Sequence, residues 1–434
     1  MTTRRFLGLS LGALALATGL LGSQAGLASA HYYKPAHQWT PTRYAYQLLA
    51  SPHDPTFTQL LGINDHQLIA GYDGSGQTVD GKLHPNKGFT LMLPSTFTPE
   101  NYPMSAQTQV IGVNNRGDND GFYIDQAGAT HGFLNVGGNF TTVDLPGTTF
   151  NQLLGLNNRG QEAGFFQDAN GQNHGYIRER DGSFLVLPIP NSQATGINDF
   201  GVVIGFTQPT TTTSDGFIWQ NGVTQTLDVP NSTFTQPLGE NNEGQVVGTY
   251  NDADGNAHGF VYSRGHFQTV DVPGSTGTVI NGISNSGRIV GFFVDAAGNT
   301  VGFVGTPTNA RVITMVASLL GKNEVPNAGD ANGGGTAILT LDPSRDTIGY
   351  TIAVAGLQGT ITMAHIHMGA AGASGPVVVP FMAPVQGSIT GSITVSNSLF
   401  YSIKQNPAGF YVNVHTSSFP GGAARGQLAL VSSY

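Results

Sequence analysis

One tripeptide pattern, Gly-x-Asn, recurs at a near-constant period and limits what this chain can fold into. It occurs as Gly62-Ile63-Asn64, Gly112-Val113-Asn114, Gly155-Leu156-Asn157, Gly196-Ile197-Asn198 and Gly239-Glu240-Asn241, with Gly282-Ile283-Ser284 as a variant sixth copy. Successive glycines are 50, 43, 41, 43 and 43 residues apart. A second anchor, Gly before an aromatic, keeps the same beat at Gly88-Phe89, Gly132-Phe133, Gly175-Tyr176, Gly216-Phe217, Gly259-Phe260 and Gly302-Phe303. His131, His174 and His258 precede three of these. A third anchor reads Val143-Asp144-Leu145-Pro146, Asp228-Val229-Pro230 and Asp271-Val272-Pro273. Several anchors at one period mark stacked copies of a single supersecondary unit.

One unit reads as four strands. Gln245 to Tyr250 is β-branched and apolar, Asp252-Ala253-Asp254-Gly255 turns, and His258 to Ser263 returns. Arg264-Gly265 turns again, Phe267 to Val272 alternates, and a short strand after Pro273-Gly274 leads to the next Gly-x-Asn. Four strands in such a repeat match a propeller blade, whose sheet buries its faces only against neighbouring blades. An open solenoid is the other arrangement, but a 43-residue unit is long for one. The sixth unit lacks its last strand, and Tyr44 to Ser51 reads like the missing piece. The expected fold over 31–306 is therefore a six-bladed, all-β propeller-like array, closed by its N-terminal strand.

The ends and the composition bound the setting. Arg4-Arg5, an apolar run from Phe6 to about Gly22, and Ala28-Ser29-Ala30 form the pattern of a cleaved export signal at 1–30, with the mature chain starting near His31. The paired arginines resemble a twin-arginine signal, with Sec export as the competing route. The full chain has 17 Lys+Arg and 26 Asp+Glu; loss of Arg4 and Arg5 leaves 15 against 26, a formal charge of −11. That balance argues against nucleic acid and anionic lipid as partners. The chain has no cysteine, so its cores alone must hold it together outside the cell. Charged residues make up 10% and glycines number 61, which suits short strands and tight turns.

The Gly-x-Asn, His-Gly-Phe and Asp-x-Pro-Gly anchors resemble the HAF family of bacterial extracellular repeats, over roughly residues 52–306. The resemblance implies location and architecture rather than chemistry. After Thr306-Pro307 the pattern stops, and residues 311–434 read as eight or nine strands, expected to form a Greek-key β-sandwich. Five motifs there resemble the CHRD domain. They are Gly321-Lys322-Asn323-Glu324-Val325-Pro326, Ala364-His365-Ile366-His367-Met368-Gly369, Gly375-Pro376-Val377-Val378, Tyr411-Val412-Asn413-Val414-His415-Thr416, and Phe419-Pro420-Gly421-Gly422 with Arg425-Gly426-Gln427-Leu428.

Strand alternation puts His365 and His367 on one face, opposite Ala364 and Ile366, and His415 on the face opposite Val412 and Val414. With the apolar sides in the core, the three imidazoles lie outside it, and converge if the strands are neighbours. Such a set would bind copper or zinc. A His-x-His strand with a later His is also similar to copper/zinc superoxide dismutase, but that family's disulfide cysteines and zinc loop are missing. Arg425 is then either an anion-steering cation or a partner of Glu324 or a backbone carbonyl. The competing reading has the histidines bonded to loops near Gly369 and Gly421. For His131, His174 and His258, bonding to neighbouring turns is favoured over metal ligation, and the Asp252 loop reads as a hairpin turn rather than a calcium site.

Outside the signal-like segment, where Gly8-Leu9-Ser10-Leu11-Gly12 falls in the apolar run, no Gly-x-Ser-x-Gly elbow, paired-His zinc helix or phosphate loop occurs. The leading expectation is a secreted, non-enzymatic binding or structural protein, presenting a propeller face and a CHRD module to an extracellular protein or polysaccharide. The rival is an extracytoplasmic copper- or zinc-binding protein using His365, His367 and His415, with redox activity as a further option.

Overall fold

The computed structural model describes residues 41–79, 81–308, 312–343, 347–381 and 388–431. The expected export signal and the start at His31 lie outside them. No helix among the described residues is long and apolar enough to cross a membrane.

Six four-stranded antiparallel sheets follow one another in the first part of the chain. In each, the strand carrying the Gly-x-Asn motif is an edge strand: Thr58–Ile63, Gln107–Val113, Asn151–Leu156, Ser192–Ile197, Thr235–Glu240 and Gly277–Ile283. The long first step in the repeat comes from a small extra hairpin, Thr78–Val79 with Lys82–Leu83. The sixth sheet is completed by Tyr44–Leu49, antiparallel to Thr300–Pro307 with Tyr44 opposite Pro307 and Leu49 opposite Gly302. The first strand thus closes the ring, as the sequence led us to expect. Tyr46 seals the join by an edge-on contact with Phe303 at 5.8 Å. Leu49, Leu60, Phe89, Val290 and Val304 share one core between first and last blades.

Each motif glycine sits where its strand shifts register by one residue, as at Leu60/Gly62 and Ile280/Gly282. At Gly62, Gly155, Gly239 and Gly282 the reason is the distance to the next blade. A Cβ on Gly62 would lie 2.5 Å from the carbonyl oxygen of Ile111, and one on Gly282 would lie 2.6 Å from that of Leu61. Only glycine lets the blades approach so closely at the axis.

The motif asparagines then link the blades. Asn64 Oδ1 accepts the amides of His66 and Leu68, fixing its own turn, while its Nδ2 donates to the Asn114 carbonyl at 2.8 Å. Asn157, Asn198 and Asn241 repeat this reach to the following blade. The next residue closes a second circuit. The backbone N–H groups of Asp65, Asn115, Asn158, Asp199, Asn242 and Asn285 each donate to the side-chain oxygen of the next in that order, Asn285 returning to Asp65, at 2.7–2.9 Å. Six bonds go once round the ring.

The C-terminal part is one antiparallel sheet of nine strands. Its main path runs Val377–Pro380, Ile361–Met368, Phe410–Thr416, Ala424–Gln427, Ile313–Leu320, Gly334–Asp342, Thr347–Ala355 and Ser388–Thr394. The two layers expected of a sandwich are the two halves of this sheet, continuous through the pairing of Leu320 with Arg425. The sheet curls until Phe381, beyond the first strand of the path, packs on Tyr350 at 4.3 Å near the other end. A helix, Asn397–Gln405, follows the last strand of the path; Ser396 caps it by accepting the Leu399 amide. The helix adds Phe400, Tyr401 and Ile403 to the core between the halves.

Replacing Asp65 by Ala should lower stability by about 2–4 kcal/mol, because the Asn285 amide, its Nδ2 and Asn115 Nδ2 lose their acceptor in a buried place. Asp65→Asn, which retains one oxygen, should lose less. Urea unfolding of both variants measures the difference.

Candidate metal centre

The strand Ile361–Met368 pairs antiparallel with Phe410–Thr416, setting His365 opposite Asn413, His367 opposite Tyr411 and Met363 opposite His415. Ala364, Ile366, Val412 and Val414 point the other way and are fully buried in the core. The two strands are therefore neighbours, and their polar faces bring the three imidazoles together. One ring nitrogen from each of His365, His367 and His415 lies within 4.8 Å of the others. Among the described residues this is the one group of three or more metal-ligating side chains. The site is not open to water on all sides: His367 and His415 are buried, and His365 is half-buried.

Two loops set the ring chemistry. His367 Nδ1 lies 2.9 Å from the Gly375 carbonyl, and His415 Nδ1 lies 3.0 Å from the Pro420 carbonyl. A carbonyl only accepts, so each Nδ1 carries the proton and each Nε2 is left as a bare lone pair. Both of those Nε2 atoms, and His365 Nδ1, are buried with no hydrogen-bond partner. Burial also pulls the His365 imidazole down to about 4, helped by the neighbouring His415 and His367. His367 is lowered as well, chiefly by burial, with the Gly375 bond opposing. Neutral rings with a fixed tautomer and a free nitrogen are what a metal ligand requires. The loop bonds expected under the non-metal reading do exist, yet they engage Nδ1 and leave the other nitrogen unused.

A stack backs the site. Tyr411 lies parallel to His367 at 4.8 Å, and the Arg425 guanidinium sits 3.4 Å above the Tyr411 ring centroid. The Tyr411 hydroxyl accepts the Gly375 amide, tying the stack to the loop that orients His367. Arg425 is 2% exposed, and its Nη2 donates to the Ala370 and Ala373 carbonyls. Of the two roles weighed for Arg425, the carbonyl partner is the observed one; it has no exposure with which to steer an anion. Glu324 lies beneath, with Oε2 accepting from Asn413 Nδ2 at 3.2 Å. Burial pushes its carboxyl up to about 7, although Arg425 and the Asn413 bond pull it back.

A CHRD domain is detected at residues 315–428. That span contains the three histidines, Glu324, Tyr411 and Arg425, so the whole site belongs to the CHRD domain. A search of curated proteins found no match. Solved structures similar to the chain include a protein described as TolB from Agrobacterium tumefaciens, with 10% identity and a TM-score of 0.43, covering 61% of this chain and 98% of that one. They also include a mutant of AofleA from Arthrobotrys oligospora, with 12% identity and a TM-score of 0.34, covering 68% and 83% respectively.

The repeat histidines bond to carboxylates on neighbouring turns, as favoured from the sequence. His131 Nδ1 is 2.7 Å from Asp144, His174 Nε2 is 3.2 Å from Asp168, and His258 lies between Asp271 at 2.8 Å and Asp252 at 3.2 Å. Asp252 Oδ1 accepts the amides of Asp254 and Asn256, which makes that loop a hairpin turn. What the sequence reading missed near the CHRD-domain site is the stacking of Tyr411 between His367 and Arg425 and the bond from Asn413 to Glu324. Tyr411 shares its strand face with His415, and Glu324 stands in the first CHRD motif, so both were within reach of the same alternation and motif arguments.

Glu324 gives the domain a pH dependence. Its folded carboxyl keeps the proton to about pH 7, whereas an unfolded glutamate loses it near ~4.3. The contribution of Glu324 should therefore be greatest below that lower value and be lost as pH rises to 7, by on the order of 2 kcal/mol. The lowered His365 and His367 contribute in the opposite sense over the same range, so the difference between wild type and variant isolates the Glu324 contribution. Denaturation midpoints of wild type and Glu324→Gln across pH 4–8 check this: the stability of wild type relative to the variant should fall as pH rises from 4 to 7.

Proposed function

We propose that this chain is an exported binding protein whose CHRD domain holds one copper or zinc ion through His365, His367 and His415. The observation behind this reading is the set of three buried, unpartnered imidazole nitrogens facing one another, two of them fixed as lone pairs by backbone carbonyls. A metal–nitrogen distance of about 2.0–2.1 Å puts the ligands of a tetrahedral ion roughly 3.3 Å apart. The half-buried His365 ring, whose Nδ1 has no partner, would swing inward to close the remaining gap. All-nitrogen ligation suits both ions, and copper(II) binds such a set more tightly than zinc. A buried imidazole without a metal would leave its nitrogen desolvated for nothing in return.

The propeller would supply the second contact. Its HAF-type repeat anchors and acidic, cysteine-free composition fit a module that presents a polar face to an extracellular protein or polysaccharide. Export rests on the signal-like pattern at 1–30. Binding, without a catalytic step, is the role assigned.

Metal analysis of the purified mature protein after copper(II) or zinc(II) exposure and dialysis should find about one ion per chain. His365→Ala/His367→Ala/His415→Ala should retain none. Saturating metal should raise the melting temperature of wild type and leave the triple variant unmoved. Equal retention by both proteins, or none by either, would remove the assignment.

A further inference from the structure

The six motif strands line a bore along the axis of the ring, with a cavity of about 120 Å³ that opens into a second of about 80 Å³ at the Asn/Asp circuit. The residues beside each motif glycine face this bore. Five of the six that follow the glycine are aliphatic, and the sixth is Glu240. Of the six that precede it, four are aliphatic, and the exceptions are Thr195 and Asn281. These three polar side chains come from the fourth, fifth and sixth blades, which are consecutive, so they stand on one side of an otherwise aliphatic wall.

Their hydrogen-bond roles are not symmetric. The Thr195 hydroxyl donates to the Pro237 carbonyl at 2.7 Å, and Asn281 Nδ2 donates to the Leu60 carbonyl at 3.1 Å. The Thr195 O–H and one Asn281 Nδ2 hydrogen are committed to backbone, and Thr195 Oγ1 and Asn281 Oδ1 keep lone pairs as acceptors. Glu240 Oε1 is buried and has no partner. Glu240 is the one titratable residue in the lining of the larger cavity among the described residues. Burial pushes its carboxyl well above the usual range, opposed by a backbone hydrogen bond from Asn198. At the end occupied by the Asn/Asp circuit, Asp65 and Asp199 on the first and fourth blades place two carboxylates around the mouth. A wall with a buried unpartnered carboxyl oxygen and two further acceptor oxygens on one side, behind a mouth with two carboxylates, favours a cation with N–H groups.

We propose that the bore is a binding site for a small organic cation, a primary alkylammonium whose head lies against Glu240, Thr195 and Asn281 and whose alkyl body fills the aliphatic remainder. The site is independent of the three histidines. Binding gives Oε1 its partner, and the ammonium charge beside it favours the ionised carboxylate.

Isothermal titration of the full mature chain with n-butylammonium chloride tests this, in two buffers of different protonation enthalpy at pH 7. One saturable site per chain is expected, and any difference in heat between the buffers reports protons exchanged on binding. Glu240→Gln retains shape and the neutral state, and should weaken binding by about tenfold or more. Thr195→Val, which leaves the carboxyl in place, should weaken it several-fold. 1-Butanol, the neutral analogue, should bind at least about tenfold more weakly than the amine. Circular dichroism of both variants reports their folding, and either one folded suffices for the comparison. No saturable binding, equal affinity in a folded variant, or equal affinity for the alcohol would overturn the proposal.

Discussion

The propeller depends on a circuit of backbone amides that donate to side-chain oxygens of the next blade. Sheets packed face to face by aliphatic side chains can slide or splay, because dispersion and hydrophobic contact have little direction. Hydrogen bonds do have direction, and these six join each blade to the next around the mouth of the bore. The motif glycines make the circuit possible by letting the backbones come close enough. One tripeptide therefore serves two needs: the glycine removes the steric barrier, and the asparagine supplies the link and pins its own turn. The variant sixth copy shows the same logic under a different residue. Ser284 replaces the asparagine, and its carbonyl still receives Asn241 Nδ2, while Asn285 keeps the second circuit whole.

Much of this was legible in the sequence because the repeats sample one solution six times. The blade count, the four-strand economy and the closing strand at Tyr44–Leu49 all follow from period and from one truncated copy. In the C-terminal part, period-two alternation was enough to place three histidines on one face, away from Ala364, Ile366, Val412 and Val414.

Other features were hidden for identifiable reasons. The carbonyls of Gly375 and Pro420 select the tautomers at the metal centre, and a carbonyl leaves no trace in residue identity. The helix Asn397–Gln405 contains Phe400, Tyr401 and Ile403, residue types equally at home in strands, so its period did not stand out. Continuity of the two sheet halves rests on the pairing of Leu320 with Arg425, which no local pattern announces. Glu240 is different. It stands where the other copies carry Ile, Val or Leu, and a repeat array makes such a departure conspicuous once the copies are aligned by their glycines. In a repeat protein the shared positions describe the scaffold, and the exceptions are where chemistry is to be sought.

The closing strand has a consequence for how the molecule comes into being. Tyr44–Leu49 is the earliest described strand to leave the ribosome or a translocation channel, yet its partner Thr300–Pro307 follows more than two hundred residues later. Through that interval the segment waits with both of its edges bare. Local blades form from neighbouring residues as they appear, but the circle cannot be joined until nearly the whole array is out. Assembly of the ring thus has a built-in last step, and it joins the oldest described strand to the newest blade.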